Sequence, residues 1–321
     1  MSAPVSAEAP SQPGYYLNIP NDAYHAGPGV SKSQLDLLHL APALLQWSKD
    51  APRDDEARAA VDLGDAFHAL LLEPERFEAE YALDFTPPDG ALVTTDHIKA
   101  YMDEHGIGYT SKDTKGTLVD KLLLADPDAP VLERLREAWA SELGGRTVLT
   151  AAEFRKLQLM RASTLAHPFA RALLEAEGDI EPCIYWTDPI TGELCRCRPD
   201  KSGHIGSFRF LLDVKSTGDI DHFAASIEDY RYHVQDAFYG EGYEQHYGAP
   251  PDAFIFLAVS TTRNAGRYPV RCFMLDANDR MKGRADFRAD LDRYATCKRD
   301  GVWPGIETIT RPEWARRRDA A

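Results

Sequence analysis

Residues 198–215 read Arg-Pro-Asp-Lys-Ser-Gly-His-Ile-Gly-Ser-Phe-Arg-Phe-Leu-Leu-Asp-Val-Lys. Two acids and a lysine, Asp200, Asp213 and Lys215, stand in a stretch that otherwise reads as two strands joined by a turn. The segment 208–214 is apolar and aromatic, as suits a covered, pleated surface. Side chains alternate along a strand, so Asp213 and Lys215 share one face and Val214 takes the other. Placing opposite charges at the end of a buried strand costs desolvation unless something is gained. One reading is a salt-bridged strand end; the other is a magnesium site. The rest of the chain has to decide between them.

The strands begin with 180–187, a hairpin turn at Asp188-Pro189-Ile190-Thr191-Gly192, a return over 194–200 and a second turn at 201–206. A long helix is predicted over 221–247, with Phe223, Ile227, Tyr230, Val234, Ala237 and Phe238 on its buried side. Two strands, 253–260 and 270–275, and a helix over 277–299 follow. The first half is helical. Ser31 and Gln34 form a capping box opening a helix to Leu40, Pro42 interrupts it, and a second helix runs over 54–72 with Val61, Phe67, Leu70 and Leu71 as core positions. Thr150 and Glu153 make a second capping box, and Pro168 begins another helix. The pattern is α/β (α+β): a central mixed β-sheet flanked by helices, with a helical N-terminal half.

Residues 1–13, small and rich in Pro, Ala and Ser, read as a disordered tail rather than a signal peptide. The main domain is expected over 14–310, and 311–321 form a basic C-terminal tail. A Pro/Gly linker at 85–93 precedes an insert at 94–125, read as helix, extended segment and helix. It resembles modules of the SAP and LEM type, in which the loop lysines, here Lys112 and Lys115, lie near nucleic acid. A plain helical hairpin is the other reading.

Hydrophobic residues make up 44% and charged residues 27% of the 321, ordinary values for a globular chain. No apolar run approaches the roughly 20 residues of a membrane helix, so a cytoplasmic protein is expected, with no membrane partner. Five cysteines, an odd number, fit a reducing compartment and buried structural thiols. A net charge of −15 argues against a protein that coats nucleic acid over its whole surface. Arg196, Arg198, Lys201, Arg209, Lys215 and Arg231 nonetheless cluster around the opening motif.

Magnesium takes about six oxygens, including waters. Two carboxylates from neighbouring strands and the backbone carbonyl of Val214 make a suitable half-shell, provided the turn brings Asp200 beside Asp213. Lys215 would orient or deprotonate a water, or stabilise charge on a phosphorane.

Pro199-Asp200 followed by Asp213-Val214-Lys215 resembles the PD-(D/E)XK nuclease superfamily, with its restriction-endonuclease-like core. Several ordered segments resemble its RecE-type exonuclease (exonuclease VIII-like) group. They are Tyr24-His25, Gly29-Val30-Ser31-Lys32-Ser33, Gly64-Asp65-Ala66-Phe67-His68 through Pro74, Cys197-Arg198-Pro199-Asp200, Asp213 to Thr217, and Tyr230 to Tyr239. The resemblance implies a metal site of His68, Asp200, Asp213, the Val214 carbonyl and Glu181, with Lys215, Asp213, Asp200 and Gln235 as catalytic residues. It implies DNA contacts by Arg198, Arg231, Tyr232 and Tyr239. His233 points away from the Gln235 face and is not expected to be a ligand. The metal implied is Mg²⁺, with Mn²⁺ substituting. No iron–sulfur cluster is expected, because no cysteine precedes Cys183.

The activity implied is digestion of linear duplex DNA, 5′ to 3′, in phage or prophage recombination. The partners implied are DNA, a single-strand annealing protein (RecT-type) and further copies of the chain in a homo-oligomeric ring. Two alternatives stay open: a catalytically silent DNA-binding module on the same fold, and an endonuclease acting on single-stranded or branched DNA.

Overall fold

A computed structural model describes residues 8–52, 63–306 and 308–319. The elements run β1 (Gly14–Tyr16), α1 (Asn21–Ala26), α2 (Lys32–Leu40), α3 (Pro42–Asp50), α4 (Leu63–Leu72), α5 (Pro74–Glu80), β2 (Tyr81–Leu83), α6 (Thr95–Glu104), α7 (Lys115–Ala125), α8 (Leu132–Glu142), β3 (Thr147–Leu149) and α9 (Ala151–Ala166). After them come α10 (Pro168–Glu175), β4 (Glu177–Ile180), β5 (Cys183–Thr187), β6 (Leu194–Cys197), β7 (Lys201–Ile205), β8 (Phe208–Thr217), α11 (Phe223–Asp229), α12 (Tyr232–Tyr247), β9 (Ala253–Ser260), β10 (Val270–Phe273), α13 (Ala277–Asp300) and α14 (Glu313–Asp319). The predicted helix start at Asp54 and the core position Val61 lie outside the described residues. The chain divides into two units, Met1–Glu73 with Leu159–Ala321, and Pro74–Gln158.

The first unit holds a mixed sheet of five strands in the order β10-β9-β8-β7-β4 and an antiparallel sheet of three in the order β1-β5-β6. Strands β8 and β9 are parallel, and α11 and α12 form the crossover between them. Helix α12 is buried on most of its circumference. Val234 and Phe238 pack with Ile184, Trp186, Cys195 and Cys197 of the small sheet, while Tyr243 packs with Leu211, Phe254 and Phe256 of the large one. All five cysteines are free thiols, and burial pushes those of Cys183, Cys195 and Cys197 above their ordinary range.

The second unit pairs β2 with β3 in parallel and closes its own core with Ile98, Met102, Leu118 and Leu122 of α6 and α7. Thr94 and Thr114 cap those two helices.

Three sequence expectations change. The segment predicted as a turn over 201–206 is strand β7, and its hairpin with β8 turns at Gly206 and Ser207. Lys201 opens β7 because its buried ammonium caps α10, donating to the Leu174 and Ala176 carbonyls, both at 2.6 Å. Gly203 lies under the Phe210 ring, where an added Cβ would come within 2.7 Å of that ring. The strand predicted over 180–187 is two strands in different sheets, broken at Glu181, whose φ is 48°. The helix predicted over 221–247 is broken at Tyr230 and Arg231, where Arg231 has φ 52° and ψ 45°, and Tyr230, expected on the buried side, is exposed at that break.

Candidate active site

The β7–β8 register settles where the two acids stand. Lys201 is opposite Leu212, so Asp200, one residue before β7, comes beside Asp213. The Asp200 Oδ2 accepts from the Val214 amide at 2.5 Å. His68 on α4 reaches the same point, donating from Nε2 to the Val214 carbonyl at 2.7 Å. Because a carbonyl only accepts, Nε2 carries a proton, and Nδ1 faces Asp200 Oδ2 at 3.6 Å.

Asp213 is almost fully buried on the adjoining position of β8. Gln235 of α12 donates to its Oδ1. The Lys215 ammonium lies 2.5 Å from its Oδ2, an ion pair off the line of a good hydrogen bond, so that buried oxygen lacks a well-aligned donor. The shared face expected of Asp213 and Lys215 is thus how they stand.

The charges shift one another. Burial chiefly, and the Asp213 carboxylate with it, push Asp200 up to about 7 against the pull of His68. Burial acts to lower His68, but Asp200 and Asp213 outweigh it and hold the imidazole above its ordinary value. Lys215 goes the same way: burial opposes its charge, the two carboxylates outweigh burial, and the amine is held as ammonium.

Lys215 and Gln235 border a cleft of about 540 Å³ that is also lined by Tyr24, Lys32, Arg198 and Tyr230, among others. The Tyr232 ring covers the Lys215 ammonium at 4.5 Å. Tyr239 also lines the cleft, with its ring edge against Phe254 at 6.0 Å.

Two arginines expected to meet DNA are engaged within the fold. Arg198 donates to the Ile19 carbonyl at 2.9 Å and to Cys183 Sγ at 3.1 Å, and it stacks over Tyr24 at 4.1 Å. Arg231 pairs with Asp36 at 2.9 Å and Asp290 at 2.5 Å. Glu181 adjoins the site through its backbone, whose amide donates to the Asp200 carbonyl at 2.9 Å, and its carboxylate lies 3.6 Å from Arg198. His233 turns to Asp286 at 3.2 Å and not to the Gln235 face. In the second unit, Lys112 is exposed, while Lys115 is tied to the Val93 carbonyl at 3.0 Å and Glu133 at 2.7 Å.

Sequence reasoning missed the part played by Lys32. It pairs with Asp36 at 2.7 Å and donates to the Tyr230 carbonyl at 2.6 Å. The spacing of four residues between Lys32 and Asp36 was a visible signal for the pair. Nothing in the sequence marks the reach to Tyr230.

Hard oxygen donors, namely two carboxylates and a carbonyl with an imidazole beside them, suit a divalent cation such as Mg²⁺ or Mn²⁺. The poorly aligned Asp213 Oδ2 is a further oxygen with capacity to accept one. Among the described residues, no three His, Cys, Asp or Glu side chains are gathered closely enough to hold a metal by themselves. Among the same residues no helix is long and apolar enough to cross a membrane.

A family profile described as a PDDEXK-like domain of unknown function (DUF3799) matches residues 31–309. Among solved structures, the chain is similar to a Eubacterium rectale protein provisionally named an exonuclease, at 14% identity and a TM-score of 0.34, covering 66% of this chain and 81% of that one. It is also similar to the protein SSO0001, at 11% identity and a TM-score of 0.24, covering 61% and 83%. No curated protein matches it.

Proposed function

The chain belongs to this PDDEXK-like domain family, and from that premise we propose that it is a divalent-metal-dependent deoxyribonuclease. One observation carries the reading: Asp200, Asp213, the Val214 carbonyl and His68 converge beside Lys215, whose side chain lines an open cleft. The two carboxylates and the Val214 carbonyl would hold the metal, with His68 beside them. When bound, the metal acidifies a water and offsets phosphate charge.

The protein's own groups have separable tasks. Lys215, held as ammonium, stabilises negative charge on the phosphate being cleaved and orients the attacking water. Gln235 fixes the Asp213 carboxylate from behind. His68 holds the Val214 carbonyl and stands against Asp200.

The finer reading is a RecE-type exonuclease that digests linear duplex DNA from 5′ to 3′. Its product would be a 3′ strand for a RecT-type annealing protein in phage or prophage recombination within the cytoplasm. A homo-oligomeric ring would give processivity. The order of the sequence motifs supports this reading. The test is a cleavage assay with Mg²⁺ or Mn²⁺ on linear duplex, closed circular duplex and single-stranded DNA. Loss of the linear duplex alone, stopped by chelation, is the expected result. Survival of all three substrates would overturn the proposal, and cleavage of the circle would replace an exonuclease by an endonuclease.

A second reading, a silent DNA-binding module, is favoured by the missing three-side-chain metal group among the described residues. Calorimetric titration with Mn²⁺ separates the two, because the silent module takes up no metal.

A further inference from the structure

Helix α11 ends at Asp229 and α12 begins at Tyr232, so Tyr230 and Arg231 form an elbow in the cleft wall. Arg231 takes a left-handed backbone conformation, φ 52° and ψ 45°, uncommon for any residue but glycine. Such a conformation persists where its surroundings over-determine it, and these cluster at ligand sites. Here the restraints come from three elements. Arg231 is pinned by Asp36 of α2 at 2.9 Å and Asp290 of α13 at 2.5 Å. Lys32 of α2 holds the Tyr230 carbonyl at 2.6 Å.

The elbow sets the direction of two rings. Tyr232 stacks on Phe256 of β9, with centroids 5.5 Å apart and planes 26° apart. Tyr230 stacks on Tyr232 at 5.5 Å and 23°. Phe256 is fully buried and Tyr232 half-buried, whereas Tyr230, at the end of the series, is 61% exposed. The middle ring is the one that covers the Lys215 ammonium. A stack of aromatic rings therefore runs from the core, past the lysine, to an open last ring in the cleft.

We propose that Tyr230 is a nucleobase platform, on which a base of the strand whose phosphate lies at Lys215 stacks as the next member of the series. The inference rests on the deoxyribonuclease reading and adds to it a subsite for an unpaired or splayed base. Every base has a π-face, so the platform is tolerant of sequence. Its place beside the lysine ties base position to phosphate position.

The test uses the full chain, its Y230A and Y230F variants, and an oligonucleotide carrying 2-aminopurine near its 5′ end. With Mg²⁺, Y230A is expected to raise KM about tenfold, as loss of one base–aromatic stack does, with a smaller change in kcat. Y230F keeps the ring and restores the lost affinity. Binding with Ca²⁺ in place of Mg²⁺ should quench 2-aminopurine fluorescence in the wild type and Y230F but not in Y230A. Thermal melting of all three checks that the exposed position is neutral for folding. Equal KM and equal quenching in Y230A and the wild type would overturn the platform. If the wild type cleaves no DNA, the nuclease reading fails separately, and quenching still decides: its loss in Y230A supports the platform, and its absence or persistence overturns it.

Discussion

Helix α12 separates two clusters of buried charge that differ in how they are neutralised. Toward α13, the Arg288 guanidinium forks between Asp188 and Glu241, and Arg284 takes the second Glu241 oxygen at 2.9 Å. Thr191 adds two donors to Asp188, at 2.7 and 2.6 Å. Burial alone would raise Asp188, but Thr191 and Arg288 outweigh it and hold the carboxyl below its usual range. Toward β8, two acids share one ammonium and an imidazole, and Asp200 is pushed up to about 7. The first cluster is balanced by arginines and fastens helices together. The second carries excess acid beside an open cleft. A buried acid is thus informative about function when the cations around it fall short, not when it is merely buried.

Asp213→Ala should break this contrast most sharply. On the proposed function it removes an oxygen that would hold the metal, so the cleavage rate on linear duplex should fall at least about 10³-fold, read as initial rates with Mg²⁺. The melting curve should move little, because the Lys215 side chain left behind is 21% exposed and can be hydrated. A rate within tenfold of the wild type would remove Asp213 from the chemistry.

The converse holds in the balanced cluster. Arg288→Ala strands Asp188 and Glu241, whose side chains are 0% and 4% exposed, and should cost about 3–5 kcal/mol in urea unfolding. Activity per folded molecule should be retained. A strong loss of activity in fully folded variant would mean that the two clusters are not independent.

The smallest expected effect concerns Asp236, next to Gln235 on α12. Burial raises its carboxyl to about 6 against the pull of Arg280, which lies 3.4 Å away. An acid with a raised folded-state pKa holds its proton more tightly folded than unfolded. Its contribution to stability is therefore full below about pH 4 and is lost as pH rises through about 6. Asp236→Asn should remove that loss, gaining roughly 2–3 kcal/mol on the wild type between pH 4 and 7. Paired melting curves across that range check it, and parallel curves would refute it.

Where local chemistry decided structure, the sequence was legible. Both capping boxes form as read, with Ser31 and Gln34 reciprocally bonded and Thr150 bonded to Glu153 at 2.8 Å. The convergence of Asp200, Asp213, Lys215, Gln235 and His68 could be anticipated as an ordered set of motifs. What was not legible depends on distant partners. Lys201-Ser202-Gly203 has the composition of a turn, yet it is a strand because β4 and β8 pair on either side and α10 is capped by the lysine. Nothing near Arg231 breaks a helix by propensity. The break is held by Asp36 and Asp290, which lie far away in the chain. The same ion pairs explain why Arg231, basic in the sequence, has its charge already paired in the fold.

The end of the β7 ladder gives the proline of the motif a physical task. Beyond the Lys201–Leu212 pair, the same register would bring Pro199 opposite Val214. Proline has no amide hydrogen, so no strand rung can form there to claim the Val214 carbonyl. Val214 is 1% exposed, and its two backbone groups need partners. The Asp200 carboxylate takes the amide and His68 takes the carbonyl. A missing rung thus leaves main-chain valency open at the end of the ladder: the sheet stops one residue early, and an oxygen that a strand amide would have taken is met by an imidazole from a distant helix.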